Sequence, residues 1–135
     1  RAGDALAPPG SRQGKPLLKP EVTSTVMAWM ESVVEKGSGK GVRTPGYRIG
    51  GKTGTAQKAL NGVYVPGALI CSFVATLPVD DPRYVVLVVV DEPQGDNAYG
   101  STVALPVAKS IIDGLLVIEK IPPSTASTPA SAQPG

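Results

Sequence analysis

Two apolar runs stand only a short turn apart, and they limit the fold more than any other feature of the chain. Residues 68–77 (Ala-Leu-Ile-Cys-Ser-Phe-Val-Ala-Thr-Leu) and 84–90 (Tyr-Val-Val-Leu-Val-Val-Val) flank Pro78-Val79-Asp80-Asp81-Pro82. Both runs have strand length and strand composition. A parallel pair needs a crossover of a dozen or more residues, so the short turn forces an antiparallel hairpin. Seven apolar residues in succession at 84–90 predict a strand buried on both faces.

A further strand is predicted over 47–57, joined to 68–77 by a connection over 58–67 with Asn61-Gly62 as its turn signal. On the N-terminal side, Val22, Val26, Met27, Met30, Val33 and Val34 recur at helical spacing. Pro20 suits the first turn of that helix and Gly37 its C-terminal cap, while Lys19 offers no capping side chain. Met27, Trp29 and Met30 read as packing residues. Past the strands, Ser101 or Thr102 can cap a second helix running to about residue 118. Its apolar face is Ala104, Val107, Ala108, Ile111, Ile112, Leu115 and Leu116, and Pro106 falls in the first turn, where a missing N–H costs little.

The order helix, strand, strand, strand, helix predicts an α+β layer: a three-stranded antiparallel sheet with helices packed on it. Residues 1–20 hold three glycines and four prolines and read as a loop or frayed entry. Residues 21–120 are the packed unit, and 121–135, almost all Pro, Ser, Thr, Ala and Gly, read as a disordered tail. About 100 ordered residues is thin for such a layer. If the second face of the sheet is also apolar, its cover lies outside these residues.

Composition removes several chemistries. The chain has no histidine, which excludes imidazole metal sites and Ser-His or Cys-His nucleophiles. Cys71 is the sole cysteine, so no internal disulfide or thiolate zinc site can form; within Leu69-Ile70-Cys71-Ser72-Phe73 it reads as a buried strand thiol. A net charge of +2 and 4 % aromatic residues give nucleic acid no basic, aromatic surface. No metal or cofactor is called for. No apolar run approaches the roughly 20 residues of a membrane span. The chain begins at Arg1 with no signal-peptide pattern, as expected of a piece of something longer.

The chemistry concentrates in Gly50-Gly51-Lys52-Thr53-Gly54-Thr55-Ala56-Gln57. Glycines allow close approach, lysine brings a cation, and the threonines bring short hydrogen-bonding arms. Gly46 to Thr53 matches the phosphate-loop pattern G-x-x-x-x-G-K-[ST], and 85–92 ends in the Asp91-Glu92 that such loops pair with magnesium. A phosphate loop needs a buried strand before it and a helix starting at the Lys-Thr. Lys40-Gly41-Val42-Arg43-Thr44-Pro45 is no buried strand, and Gly54, Asn61-Gly62 and Pro66 leave too little room for a helix. The second reading is a strand that takes an extended peptide along its edge and receives a carboxylate on its lysine and hydroxyls. Thr53 and Thr55 then share a side, and Lys52, on the other, must bend its stem to join them. The third is a plain surface strand.

Tyr47-Arg48-Ile49-Gly50-Gly51-Lys52-Thr53-Gly54-Thr55-Ala56-Gln57 resembles the Lys-Thr-Gly strand of the penicillin-binding protein transpeptidases, most closely the monofunctional class B type that includes the septal, cell-division enzyme. The resemblance continues in order through Ser72-Phe73-Val74-Ala75, Asp81-Pro82-Arg83-Tyr84, Val90-Asp91-Glu92-Pro93, and Tyr99-Gly100 with Ala104-Leu105-Pro106-Val107. It implies that 21–120 is the C-terminal portion of a transpeptidase domain, an incomplete β-lactamase-like fold. In that family a serine is acylated by a peptidoglycan stem peptide or a β-lactam. The resemblance places Lys52 in the charge network around the nucleophile, Thr53 and Thr55 on the substrate carboxylate, Gly54 at a close approach, and the Ala56 backbone near the oxyanion. It also implies a parent held by an N-terminal membrane helix, with this region outside the cytoplasmic membrane.

The family's Ser-x-x-Lys and Ser-x-Asn motifs occur nowhere in the chain. Without an activated nucleophile acyl transfer has no first step. The expectation is a fragment that carries one wall of a transpeptidase site, inactive alone and completed by the missing N-terminal part of the domain. The alternatives are a non-catalytic module that binds peptide carboxylates and a nucleotide-binding protein.

Overall fold

The computed structural model describes residues 14–124. Helix α1 spans Pro20–Lys36, strands β1, β2 and β3 span Gly50–Leu60, Val63–Leu77 and Tyr84–Asp91, and helix α2 spans Leu105–Ile118. A short 3₁₀ turn, Lys40–Val42, lies between α1 and β1, and a wide π-type turn, Gly100–Ala104, leads into α2. The sheet is antiparallel in the order β1-β2-β3. This is the α+β layer expected from the sequence. Residues 14–19 form no helix or strand, while 1–13 of the expected entry loop lie outside the described residues.

α1 starts at Pro20 with Glu21 in its first turn and ends with Lys36 in its last, a charge order that suits the helix dipole. Gly37 caps it by donating its N–H to the Val33 carbonyl. β1 and β2 meet at Asn61-Gly62, whose φ values of 52° and 80° are those of a tight type I′ hairpin. The connection expected over 58–67 is therefore mostly strand: Ala59 pairs with Tyr64 and Leu60 with Val63. At the other end β1 begins three residues later than expected, at Gly50.

The core lies on one face of the sheet. Phe73, Ala75 and Leu77 of β2 and Val86 and Val88 of β3 bury against Val34 of α1 and Leu105, Ala108, Ile112 and Leu116 of α2. Gly51 makes the approach of α1 possible, since a Cβ there would fall 2.6 Å from the Phe73 ring and 3.1 Å from Val34 Cγ2. The opposite face is uncovered: Val85, Leu87 and Val89 are 73 %, 63 % and 55 % exposed. The sequence-based expectation that 84–90 is buried on both faces is thus corrected. Its unbroken apolar run fills a covered face and an open one alternately.

Trp29 is also exposed, at 67 %, so it does not pack as expected, and Val22 and Val26 share its exposure. Gly100–Ile118 is a 19-residue helical stretch that by length and composition alone passes as a membrane span. This corrects the expectation that no such stretch exists; its buried side chains pack on the sheet. Order runs past residue 120. Ile121 is buried, and Ser124 donates its N–H to Gly46 O while its hydroxyl takes the Arg48 N–H and donates to Asp80. The packed unit therefore reaches at least residue 124, past the expected boundary at 120, and 125–135 of the expected tail lie outside the described residues.

Candidate functional site

Lys52, Thr53, Gly54 and Thr55 all lie within β1, paired in order with Val74, Phe73, Ser72 and Cys71. No helix starts at Lys52-Thr53, so the phosphate-loop geometry is absent. Asp91 and Glu92 are also committed elsewhere, since both carboxylates hold Lys58 Nζ.

Strand alternation divides the four residues between two faces. Lys52 lies in a row with Val74 and Leu87 on the uncovered face. Its ammonium curls to the strand and donates to the Thr53 carbonyl at 2.8 Å. Among the described residues it forms no ion pair. The stem bends, but to a backbone carbonyl rather than to the Thr53 and Thr55 hydroxyls it was expected to join.

Thr53 and Thr55 share the helix-side face, and each hydroxyl meets a partner from another element. Thr55 Oγ1 accepts the Gly100 N–H at 3.1 Å, which leaves its own proton free to be donated. Thr53 Oγ1 lies 3.1 Å from Ser38 Oγ, in the loop that follows α1. Lys52 and the two hydroxyls therefore flank one stretch of an edge strand.

Gly54 is packed from both sides. A Cβ there would stand 2.5 Å from Ser72 Oγ on the open face. On the other, Gly100 lies against the Gly54 and Ser72 backbones, and a Cβ on Gly100 would stand 2.6 Å from Gly54 O and 3.1 Å from Gly54 N. The close approach for which a glycine is needed here is made within the chain. Gly100 and Ser38 are the two residues of this arrangement that the sequence reading did not assign. The Tyr99-Gly100 match points to the first, whereas only its flanking glycines distinguish Ser38. Cys71 is buried, as expected, and donates its thiol proton to Ala98 O at 3.2 Å.

The ionisable groups with resolved shifts stand away from Lys52, Thr53 and Thr55. Lys58, farther along β1, is pushed up by its bonds to Glu92 and then Asp91. Arg48, just before β1, is pushed up by its two bonds to the Glu31 carboxylate of α1, each 2.7 Å. That pair fastens α1 to the start of the strand.

The described arrangement has clear relatives. Residues 10–113 match the penicillin binding protein transpeptidase domain. A peptidoglycan D,D-transpeptidase FtsI homolog of Mesostigma viride is 46 % identical over 109 residues, 80 % of this chain and 18 % of that protein. Stage V sporulation protein D of Bacillus subtilis is 43 % identical over 98 residues, covering 73 % of this chain and 15 % of its own length. Among solved structures, the transpeptidase domain of Burkholderia pseudomallei penicillin-binding protein 3 superposes with a TM-score of 0.72 at 36 % identity, over 84 % of this chain and 34 % of that one. The chain thus spans less than a fifth of the length of these two curated relatives. With the family match over residues 10–113 and the shared fold, the chain belongs to the penicillin-binding protein transpeptidase family.

Proposed function

We propose that this chain forms the Lys-Thr-Gly wall of a peptidoglycan transpeptidase site, and that the nucleophile comes from a preceding part of the same domain. The observation that carries the reading is the position of Lys52. It is a cation without a carboxylate partner among the described residues, at the rim between an uncovered apolar face and two hydroxyls. A peptide or β-lactam carboxylate laid along β1 takes the Thr53 and Thr55 protons as charge-assisted hydrogen bonds. Lys52 adds attraction on the side where a nucleophile would approach. The domain part that carries the nucleophile covers Val74, Val85, Leu87 and Val89 and takes them out of water. The parent is held at the cytoplasmic membrane with this region on its outer side. A neighbour supports the ligand class: penicillin-binding protein 3 of Mycobacterium tuberculosis was solved with ampicillin, and it superposes with a TM-score of 0.70 at 27 % identity.

The test is covalent labelling by a fluorescent penicillin. The 135-residue chain alone is expected to take no label. Residues 14–124, joined behind the preceding two-thirds of the Burkholderia transpeptidase domain, are expected to restore labelling and to lose it on Lys52→Ala. Labelling of the chain alone, or an unchanged rate in the Lys52→Ala chimera, overturns the reading.

A further inference from the structure

Ser38 lies fifteen residues before Thr53, yet the two hydroxyl oxygens stand 3.1 Å apart. The loop that brings Ser38 there is firmly held. Gly37 and Gly39 on either side both donate their N–H to the Val33 carbonyl, at 2.9 and 3.0 Å. Gly39 is buried so tightly against the end of α1 that a Cβ would come within 3.2 Å of Val33 O, Val34 Cα and Val34 Cγ2. Val34 in turn packs at Gly51 of β1, two residues before Thr53. Ser38 is therefore fixed by the same contact that seats α1 on the strand.

A hydroxyl has one proton to give. In the Ser38–Thr53 pair either oxygen can be the donor. If Thr53 donates to Ser38, it has nothing for an anion. If Ser38 donates, the Thr53 proton points outward, and the bond received polarises it toward a stronger donation. A carboxylate only accepts, so its arrival selects the second arrangement.

We propose that Ser38 is a positioning residue for Thr53: it donates to Thr53 Oγ1, holds that hydroxyl in one rotamer and directs its proton to the substrate carboxylate. The inference rests on the reading of Thr53 as a carboxylate donor and adds the residue that orients it. Thr55 receives the equivalent service from the Gly100 N–H, which can act only as a donor. The strand thus presents two hydroxyls whose acceptor positions are filled from behind, one by backbone and one by Ser38.

The test uses the 135-residue chain, titrated by NMR with N-acetyl-D-alanyl-D-alanine and with its C-terminal amide. The unsubstituted chain is expected to prefer the carboxylate form. Ser38→Ala is expected to lower carboxylate affinity about three- to tenfold, the span of one net hydrogen bond, and to leave the amide unchanged. Ser38→Thr is expected to restore the preference. Thr53→Val is expected to weaken it, Lys52 and Thr55 remaining, with no further loss on adding Ser38→Ala. Without any ligand, three-bond couplings of Thr53 are expected to report one χ1 rotamer, which averages in Ser38→Ala.

Two results separate the failures. If Thr53→Val weakens the preference while Ser38→Ala leaves both it and the Thr53 rotamer intact, Ser38 is not the positioning residue. If Thr53→Val changes nothing, or the unsubstituted chain shows no preference, the carboxylate reading falls and this inference falls with it.

Discussion

The Gly100 amide is donated to Thr55 Oγ1 at 3.1 Å, while its Cα lies so near Gly54 that an added Cβ would stand 2.6 Å from the Gly54 carbonyl oxygen. One glycine at the entrance to α2 thus sits on the backbone of the strand that carries the candidate site. The obstacles are backbone atoms, which cannot rotate aside.

Gly100→Ala is therefore expected to push the start of α2 off β1. Overpacking of this kind costs about 1–3 kcal/mol, read as a lower urea midpoint at unchanged slope. Gly54→Ala meets Ser72 Oγ at 2.5 Å, a side-chain oxygen that can turn away, with Ser72 Cβ 3.8 Å off. It is expected to cost less than Gly100→Ala and to be relieved by adding Ser72→Ala. An equal loss from Gly54→Ala and Gly100→Ala would contradict this ranking.

Thr55→Val removes a proton donor and keeps the shape. In the assembled domain, penicillin acylation is expected to fall about 10- to 100-fold, the worth of a hydrogen bond to a charged group. Thr55→Ser is expected to retain most of the rate. A Thr55→Val enzyme that acylates normally would show that the hydroxyl faces only Gly100.

Leu87 lies beside Val74 and in line with Lys52 on the uncovered face. Leu87→Lys is expected to change the stability of the chain alone by no more than about 0.5 kcal/mol, as for other exposed sites. It is expected to reduce aggregation and dye binding, because it breaks an exposed apolar patch. In the assembled domain the same change buries an unpaired charge, and labelling is expected to be lost. Equal behaviour in both settings would mean that nothing covers this face.

Two tethers of the sheet are expected to fail at alkaline pH. Tyr84 donates to Glu119 at 2.9 Å, and that bond raises its pKa above the ordinary 10.0. Lys58 is raised above 10.5 by its bonds to Glu92 and then Asp91. A raised folded-state value means that each contribution is complete below the ordinary pKa and is lost as pH climbs through the higher, folded one. Amide protection, taken relative to intrinsic exchange at each pH, is expected to fall above 10.5 near β1 residue 58 and above 10.0 at the start of β3. Tyr84→Phe is expected to remove the β3 part of that pH dependence, and Lys58→Gln the β1 part.

The hairpin of β2 and β3 was legible because its turn is too short for any other connection. The outer half of β1 and β2 was not, since Lys58, Pro66 and Gly67 interrupt the apolar pattern and Asn61-Gly62 alone marked the turn. For β3 the pattern misled: Val85, Leu87 and Val89 are as apolar as Val86 and Val88, and a sequence does not say whether a neighbour covers them. Thr53 and Thr55 fell on one side by parity alone. Their partners Ser38 and Gly100 are tertiary neighbours, 15 and 45 residues away, and no spacing rule reaches that far. The packing of residues 121–124 was hidden for the same reason, because their composition is that of a tail and the hydrogen bonds of Ser124 go to residues 46, 48 and 80.

The two hydroxyls of β1 are each tied to a different helix, Thr53 to the exit of α1 through Ser38 and Thr55 to the entrance of α2 through Gly100. An anion that bridges them would close a mechanical loop: helix end, hydroxyl, ligand, hydroxyl, helix start. By linkage, whatever free energy the anion gains from that closure is returned as rigidity at both helix ends. Occupancy would then register as slowed motion some distance from the ligand, at Gly39 and at Gly100, before any chemistry takes place.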